Sequence, residues 1–415
     1  MEQRDIVIAG GGMVGISLAL KLAAVLPPEN RLALVEGFPL PPADGSAAPA
    51  YHPSFDARST ALSYSSRLIY EQLGIWDSLS EWLCPIETIH VSTRGRFGST
   101  LMKAEDYAWQ GLGYVVENAW LGRSLIAALR QQGRVELINP AKVVAAEPEG
   151  SGQRLRLEGE GPDEIFTQLL VVADGAASGL REQLGVAVAE KSYRQNALIA
   201  NVATAEPHKG CAYERFTDEG PLALLPLLGV RSNANRSALV WTLPPARAKA
   251  LGECDEAEFL AELQARFGYR LGRMLQVGER HSYPLSLVQS EEQVRQGMVV
   301  MGNAAHALHP VAGQGFNLAL RDVAALADVL AEGADRALSP GDLGLLRSYQ
   351  ARQLDDQRRT IGLSDKLPGL FMQPDPLLGI ARDLALSGLD VAGPIKREFV
   401  RAAAGVAGLK EQLSA

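Results

Sequence analysis

Apolar runs that alternate with helical patterns divide the N-terminal part of the chain into β/α units. Residues 6–9 form an apolar run that predicts a buried strand, and a helical pattern follows it. A second predicted strand, residues 31–35, ends in Glu36. Residues 118–132 predict a helix, and residues 135–138 predict a short strand. This alternation predicts an α/β domain built on a parallel sheet.

A series of strand-like segments between residues 193 and 242 breaks this alternation. The segments are NALIANVATA, GCAYERF, PLALLPL and SALVWTL. The change predicts a second, mainly antiparallel domain that comprises residues 86–104 and 186–284. Its PLALLPL segment, residues 221–227, is either a wall of a ligand pocket or a plain core strand. Residues 255–278 predict helix within the same domain.

The chain is predicted to return to the first domain after these strands. Residues 298–301 predict a buried strand, and helical patterns follow at residues 314–332 and 341–362. The first domain therefore comprises residues 1–85, 105–185 and 285–362. Within it, a stretch rich in Pro, Ala and Ser at residues 39–54 predicts a surface loop, and a helical pattern begins near Thr60.

The tail, residues 363–415, is apolar and interrupted by prolines, which predicts a separate C-terminal helical region. Leu377, Ile380 and Leu384 share one helical face. Packing of this face against the first domain is one interpretation. A contact with a partner protein or with a membrane surface is the other.

Three glycines follow the first predicted strand in the G-x-G-x-x-G spacing of dinucleotide-binding folds. Gly10 permits a tight turn, Gly12 lets the backbone approach a pyrophosphate, and Gly15 lets the helix pack closely on the strand. Glu36, at the end of the second strand, is placed to accept hydrogen bonds from a ribose. The alternative, a signal peptide or membrane span at residues 6–26, is disfavoured by the glycine spacing.

Two later segments place further turns after predicted strands. Asp174-Gly175 lies between a strand and a helix, where Asp-Gly also occurs as an ordinary turn, so its role is open on sequence alone. Residues 302–322, GNAAHALHPVAGQGFNLALRD, contain a Gly-Asn turn and a Gly-Gln-Gly loop before a long helix. Such a segment presents backbone N–H groups at a helix N-terminus, which favours an electron-rich or anionic group.

Composition excludes several classes of protein. The net charge is −8 and no long basic run occurs, so nucleic acid is not an expected partner. Cys84, Cys211 and Cys254 lack C-x-x-C or metal-ligand spacing, which argues against a zinc site and against a disulfide reductase. His306 and His309 have no accompanying carboxylate cluster. No metal is therefore expected, and His306 is predicted to be a helical residue near a cofactor.

The three ordered motifs, over residues 4–350, resemble the flavoprotein aromatic hydroxylases of the para-hydroxybenzoate hydroxylase type. Within that group FDARSTALS (55–63), YVVEN (114–118) and GNAAHALHPVAGQGFNL resemble the ubiquinone-biosynthesis hydroxylases. One position departs from the wider family, which has Asp where this chain has Asn303. An Asn still accepts and donates hydrogen bonds, but it removes one negative charge near the flavin.

The resemblance implies a Rossmann-like FAD-binding domain with an inserted antiparallel substrate domain, and it assigns roles to residues. Gly10, Gly12, Gly15 and Glu36 would hold the ADP half of FAD. Asp174 and Gly175 would approach the pyrophosphate and take part in binding the nicotinamide cofactor. The residues expected around the ribityl chain and the flavin ring are Arg58, Asn118, Arg123, Gly302, Asn303, Pro310, Gly313, Gln314 and Gly315. The two glycines of the Gly-Gln-Gly loop are expected to adopt unusual φ angles.

The function implied by the resemblance is an FAD-dependent aromatic hydroxylase that uses NAD(P)H and O₂. Its substrate would be a polyprenylated methoxyphenol of ubiquinone biosynthesis, attacked through a flavin C4a-hydroperoxide. The sequence identifies no catalytic base. Two alternatives remain: a flavin hydroxylase for another ring position or a soluble phenol, and a flavin-binding scaffold subunit of a biosynthetic complex. The expected location is the cytoplasm, at the inner membrane if the tail binds lipid.

Overall fold

A computed structural model describes residues 2–40, 58–229, 235–310, 313–372, 388 and 393–406. Most of the predicted loop at residues 39–54 lies outside these ranges, and so do Leu377, Ile380 and Leu384 of the tail.

The described residues form strands and helices in a mixed order. The strands are β1 (Glu2–Ala9), β2 (Leu32–Val35), β3 (Ser59–Ser63), β4 (Cys84–Ile86), β5 (Thr88–Thr93), β6 (Ser99–Lys103), β7 (Gly113–Glu117), β8 (Val135–Ile138), β9 (Ala141–Glu149), β10 (Gly152–Gly159), β11 (Glu164–Val172), β12 (Val188–Thr204), β13 (Cys211–Phe216), β14 (Pro221–Leu227), β15 (Arg236–Leu243), β16 (Met274–Val277), β17 (His281–Ser290), β18 (Val294–Arg295), β19 (Met298–Val300) and β20 (His306–Ala307). The α-helices are α1 (Met13–Val25), α2 (Tyr64–Gln72), α3 (Trp76–Ser80), α4 (Asn118–Gln132), α5 (Gly179–Gln183), α6 (Pro245–Glu253), α7 (Glu256–Phe267), α8 (Gln314–Ala334), α9 (Leu343–Met372) and α10 (Gly393–Ala403).

The predicted α/β fold is confirmed by an eight-stranded sheet whose main path runs β18-β19-β11-β1-β2-β8. Strands β19, β11, β1, β2 and β8 are parallel, so their carboxyl ends lie at one edge of the sheet. Ile6, Val7 and Ile8 of β1 are almost fully buried, because a parallel sheet is covered on both faces. Residues 6–26 therefore belong to the core. Among the described residues, no helix combines the length and apolar character needed to cross a bilayer.

A nine-stranded sheet follows the order β20-β17-β12-β15-β14-β13-β5-β6, with β16 paired to β12. Helices α6 and α7 cover one of its faces, where Trp241 packs with Phe259 and Phe267. Strand β5 joins the sheet through parallel pairing with β13. The boundaries between the two domains stay a prediction, and strand β17 extends past residue 285 to Ser290.

A three-stranded sheet, β3-β7-β4, lies where the two larger sheets meet. Ile86 of β4 and Val115 of β7 pack against Ala212 and Ala238 of the nine-stranded sheet. This apolar contact holds the nine-stranded sheet against the three-stranded sheet.

Two local predictions were wrong. Thr60 lies in strand β3, where it pairs with Val116, and the helix begins only at Tyr64 after Ser63 accepts the N-cap hydrogen bond. The helix predicted over residues 255–278 ends at Phe267, because Gly268 takes a φ of +89° that an α-helix cannot continue. The residues beyond it return to the sheet as β16. Both errors arose where pairing with a distant strand outweighed a local helical pattern.

Helix α1 approaches strand β1 so closely that a side chain at Gly15 has no room. A Cβ at this position would lie 1.8 Å from the carbonyl oxygen of Gly10. The third glycine of the motif is therefore required by the packing of the helix on the strand.

We expect Gly15→Ala to lower the free energy of unfolding by about 1–3 kcal/mol, the usual effect of overpacking a core. Gly179→Ala is the matched control, because a Cβ at Gly179 would meet no atom within 4 Å. Urea unfolding of the FAD-free proteins measures both. Equal unfolding free energies for Gly15→Ala and wild type would contradict the close contact.

Candidate active site

The glycine turn after β1 touches the turn after β11. Gly10 has a φ of +116°, and a Cβ there would lie 2.4 Å from the carbonyl oxygen of Ala173. Only glycine fits both the backbone angle and this contact. The first and second sequence motifs, which are far apart in the sequence, therefore meet at the carboxyl ends of the neighbouring strands β1 and β11. Ligands bind at this edge in α/β folds.

Glu36 holds the glycine turn in place. Its carboxylate accepts hydrogen bonds from the backbone N–H of Gly11 at 2.5 Å and of Phe38 at 2.6 Å. The side chain is buried. A carboxylate has about four lone-pair sites in all, so these two bonds are compatible with a further bond from a ribose hydroxyl. The ribose role stays a prediction. The second role, fixing the backbone of the glycine turn, was not predicted from the sequence.

Asp174 presents a buried carboxylate oxygen, Oδ1, that has no hydrogen-bond partner among the described residues. Burial raises the pKa of Asp174, although the hydrogen bond from Ser178 and the charge of Arg181 act in the opposite direction. A buried acceptor without a donor is costly in a folded protein unless a ligand supplies the donor. Gly175 beside it has a φ of +99°.

Arg181 joins this turn to the one that follows β19. Its Nη1 donates to the carbonyl oxygen of Ala304 at 2.8 Å, and its Nη2 donates to the carbonyl oxygen of Ala176 at 3.2 Å. The guanidinium is buried. Because it is ordered by two backbone carbonyls, Arg181 fixes the distance between the second and third motifs.

The third motif completes the convergence of the turns. Gly302 has a φ of +62°, and a Cβ there would lie 3.2 Å from a methyl group of Val14 on α1. Asn303, which follows it, is exposed. The turns after β1, β11 and β19 thus lie together, and Asn303 is the exposed residue of the third turn.

Asn317 connects the Gly-Gln-Gly loop to strand β3 and helix α2. Its Nδ2 donates to the carbonyl oxygens of Gly313 and Ala61, at 2.7 and 2.8 Å. Its Oδ1 accepts from the backbone N–H of Ser63 at 2.8 Å and from the hydroxyl of Ser66 at 2.7 Å. Asn317, which is 1% exposed, makes all four of these hydrogen bonds. Asn317 was not predicted as a site residue, and its signal in the sequence was a polar residue among the apolar positions of a long helix.

Arg58 and Asn118 lie beside strand β3, to which Asn317 is hydrogen-bonded. The backbone N–H of Asn118 donates to the carbonyl oxygen of Arg58 at 2.8 Å, and Thr60 donates to Oδ1 of Asn118 at 2.7 Å. The guanidinium of Arg58 lies over the ring of Tyr283 in β17, 5.1 Å from its centroid. Arg123 is exposed on α4 and lies over the ring of Trp120. The contacts above therefore bring together Arg58 and Asn118 but not Arg123.

The loop before α8 differs in one respect from its prediction. Gly313 has a φ of +59°, as expected, and its N–H donates to the carbonyl oxygen of Pro310 at 3.0 Å. Gly315 was wrongly expected to have an unusual φ angle, because it already belongs to the regular helix α8. Gln314 is buried and donates to the carbonyl oxygen of Ala403 in α10 at 3.1 Å.

His306 is not the helical residue that was predicted. It lies in the short strand β20, paired with Gln289, because the Gly302 turn is followed by an extended segment. Its Nε2 and Oδ2 of Asp322 are 2.7 Å apart, and both side chains are 1% exposed. Gln357 donates to the other oxygen of Asp322 at 3.0 Å. The pair joins the segment between the third motif and α8 to the helix itself.

Comparison with known proteins gives the family. The model of the FAD binding domain family matches residues 48–361. The chain is 34% identical over 403 residues to the ubiquinone hydroxylase UbiL of Rhodospirillum rubrum, covering 97% of this chain and 89% of that protein. It is 31% identical over 409 residues to the 3-demethoxyubiquinol 3-hydroxylase of Escherichia coli, covering 98% and 99%. The chain belongs to the FAD-dependent hydroxylases of ubiquinone biosynthesis.

The fold of this hydroxylase agrees with that of a solved flavin enzyme. The p-nitrophenol 4-monooxygenase PnpA of Pseudomonas putida DLL-E4 superimposes with a TM-score of 0.79 at 17% identity, covering 99% of this chain and 100% of that one. The predicted cofactor, FAD, follows from the family.

The residues at the carboxyl edge fit FAD. Oδ1 of Asp174 is a buried acceptor without a donor among the described residues. Helices α1 and α8 begin after Gly12 and Gly313 without a side-chain cap, as α3, α4 and α6 also do. The first N–H groups of α1 and α8 are therefore left for an electron-rich group. Which residue of the hydroxylase contacts which part of FAD stays a prediction.

We expect Asp174→Ala to weaken FAD binding about tenfold or more, which corresponds to ~1.4 kcal/mol, because it removes the buried acceptor. Asp163→Ala, which removes an exposed acid, is the control. Titration of FAD-free protein with FAD, followed by flavin fluorescence, gives both affinities. An Asp174→Ala protein with the affinity of wild type would remove this residue from the site.

Gly315→Ala provides a second test, because the protein itself leaves room for the methyl group. The nearest atom to a Cβ at Gly315 is Cβ of Leu308 at 4.0 Å, so the FAD-free variant should be at least as stable as wild type. If the flavin approaches the start of α8, FAD affinity should fall about tenfold. Gly313→Ala is the contrasting variant, because its φ of +59° costs roughly 1 kcal/mol for alanine even without FAD. Wild-type FAD affinity in Gly315→Ala would place the flavin elsewhere.

Proposed function

We propose that this hydroxylase adds one hydroxyl group to the ring of a polyprenylated phenol in ubiquinone biosynthesis, with NAD(P)H and O₂ as co-substrates. The proposal is supported by relatives whose names state ubiquinone and demethoxyubiquinol hydroxylation. The observation that carries it is an apolar sheet face directed at the turns that fit FAD.

We call the side of the nine-stranded sheet opposite to α6 and α7 the inner face. Strand register places Ile199, Val240 and Ala223 side by side on it. Ile199 and Val240 remain partly accessible, although they are apolar and central in the sheet. Partly accessible apolar residues in the middle of a sheet are typical of a pocket wall.

Two contacts direct the inner face towards the FAD half of the molecule. Tyr283, in the row next to Ile199, lies beneath the guanidinium of Arg58. Ala238, in the row on the other side, packs with Val115 of β7. In the PLALLPL segment Leu222 and Leu224 pack in the cluster with the helices, as in a core strand, whereas Ala223 would contribute to the pocket wall.

In this arrangement the protein and the cofactor have different roles in the reaction. Bound FAD, once reduced by NAD(P)H, supplies the electrons with which O₂ is activated. The turns at Gly10, Asp174 and Gly302 would hold FAD, and the N-terminus of α8 would face the part of the ring that gains negative charge. The inner face would bind the aromatic ring of the substrate and keep water away from the reacting atoms.

The surroundings of the tail support a further part of the proposal. Val400 of α10 packs with Met102 and Leu112, beside the edge of the nine-stranded sheet. We place the prenyl chain of the substrate on this side of the molecule, with the tail in contact with the inner membrane or a biosynthetic complex. A cytoplasmic location at the membrane surface would follow.

The test is a product assay with the purified, FAD-loaded protein. We expect a prenylated methoxyphenol to stimulate NAD(P)H oxidation and to yield a product heavier by one oxygen atom in mass spectrometry. Unprenylated 2-methoxyphenol and a prenylated demethoxyubiquinol serve as comparison substrates, because they separate a soluble-phenol hydroxylase and a different ring position from the proposed reaction. Neither stimulation nor product with any of the three would favour a scaffold role.

A further inference from the structure

Glu214 is a carboxylate in the middle row of the inner face, where its neighbours on both adjacent strands are apolar. Strand register places it between Val91 of β5 and Ala223 of β14. Ala223 is followed across the sheet by Val240 and Ile199. Side chains paired across neighbouring strands point to the same face, so Glu214 lies in the row that lines the proposed pocket.

The environment of Glu214 suits neither a structural ion pair nor a solvated surface acid. It is half-buried, and no charged neighbour among the described residues contributes to its titration. Burial alone raises the pKa of Glu214 to about 7. A carboxylate that is desolvated among apolar neighbours favours its neutral, protonated form more than a surface glutamate does.

A short series of contacts links Glu214 to the loop at the start of α8. A Cβ at Gly313 would lie 3.3 Å from Cβ of Ala61. Ala61 packs in the same apolar cluster as Ala212. Ala212 and Glu214 are two residues apart on one strand, so they share the inner face at a separation of roughly 7 Å. Glu214 thus lies on the same strand and face as Ala212, a member of the cluster that reaches the segment expected beside the flavin ring.

We propose that Glu214 is the catalytic base of the hydroxylation, with its carboxylate hydrogen-bonded to the phenol hydroxyl of the substrate. This assignment rests on the proposed function. It supplies the base that sequence analysis left unnamed, and it selects for substrates with a free phenol hydroxyl at the position that reaches Glu214.

The proton is transferred from the phenol hydroxyl of the substrate to the carboxylate of Glu214. The phenol O–H bond breaks while an O–H bond forms on the carboxylate of Glu214, and the electron pair left on the phenol oxygen moves into the ring. The ring becomes more nucleophilic at the carbon that receives oxygen. A base with a pKa near the working pH is suited to this transfer, whereas an ordinary surface glutamate is too weak a base.

The stability of the fold gives a readout that does not depend on activity. The folded pKa of Glu214 lies above the ordinary glutamate value, so the fold loses stability as pH rises from that value through about 7. Glu214→Gln removes this loss. We therefore expect the variant to unfold at the same temperature as wild type at low pH and at a higher temperature at pH 8.

The decisive experiment compares Glu214→Gln with wild type and with Glu190→Gln, which changes an exposed glutamate of the same sheet. Substrate binding is followed by the change in flavin fluorescence, and product is measured per NAD(P)H oxidised. We expect Glu214→Gln to bind FAD and substrate and to be reduced at the wild-type rate. Product formation should fall by about 100-fold or more, the usual contribution of a general base. Glu190→Gln should match wild type.

The pH profile separates a base from a residue that only shapes the pocket. Wild-type product formation should rise through pH 7 as Glu214 loses its proton. The flanking Val91 and Ala223 do not titrate, and burial raises the pKa of Tyr107 in the cluster around Val91, so that it stays neutral. Glu214→Gln should lack this rise and recover only towards the pKa of the free phenol, about 10 for a tyrosine-like group.

Three results would overturn the assignment. The first is product formation by Glu214→Gln at the wild-type rate. The second is an unchanged rise of product formation through pH 7 in this variant. The third is equal affinity of the wild-type protein for the substrate and for its methyl ether. If wild type itself forms no product from any phenol, the proposed function fails instead. The stability measurement distinguishes a misfolded variant from an inactive one.

Discussion

The contact between Gly15 and the carbonyl oxygen of Gly10 is the constraint on which the arrangement of the site depends. It draws the start of α1 onto β1 and thereby sets where Val14 stands. Val14 in turn meets the Gly302 turn, and Gly10 meets the turn that leads to Asp174. A single close approach of two backbones therefore positions three segments that are far apart in the sequence, which a looser helix–strand contact could not do.

The second requirement is a rigid connection between the two large sheets, and here polar and apolar contacts divide the task. Asn317 satisfies its hydrogen bonds within the interface and so specifies one geometry for the loop at Gly313. Ala61 lies at the boundary between this network and the apolar cluster that contains Ala212. A buried polar group that is fully satisfied is costly to rearrange, so it fixes position more strictly than apolar packing alone.

The sequence predicted those parts whose signals are local. The β1–α1–β2 unit and the turns after strands follow from apolar periodicity and glycine spacing, and the fold and family agree with them. Thr60 and the end of α7 were wrong because strand pairing over long distances decided them. Asn317 and Glu214 gain their meaning only from strand register and from packing between sheets, which no local pattern encodes.

The pairing of β1 has a consequence for how the chain reaches its fold. One edge of β1 pairs with β2, which follows almost at once, but the other pairs with β11, where Ile6 faces Leu169. At ribosomal rates of about 5–20 residues per second, β1 waits on the order of ten seconds for that partner. During synthesis a buried, apolar strand therefore exposes one unpaired edge. An open edge of this kind can pair with another chain, so we expect the nascent protein to be most prone to aggregation before β11 is made.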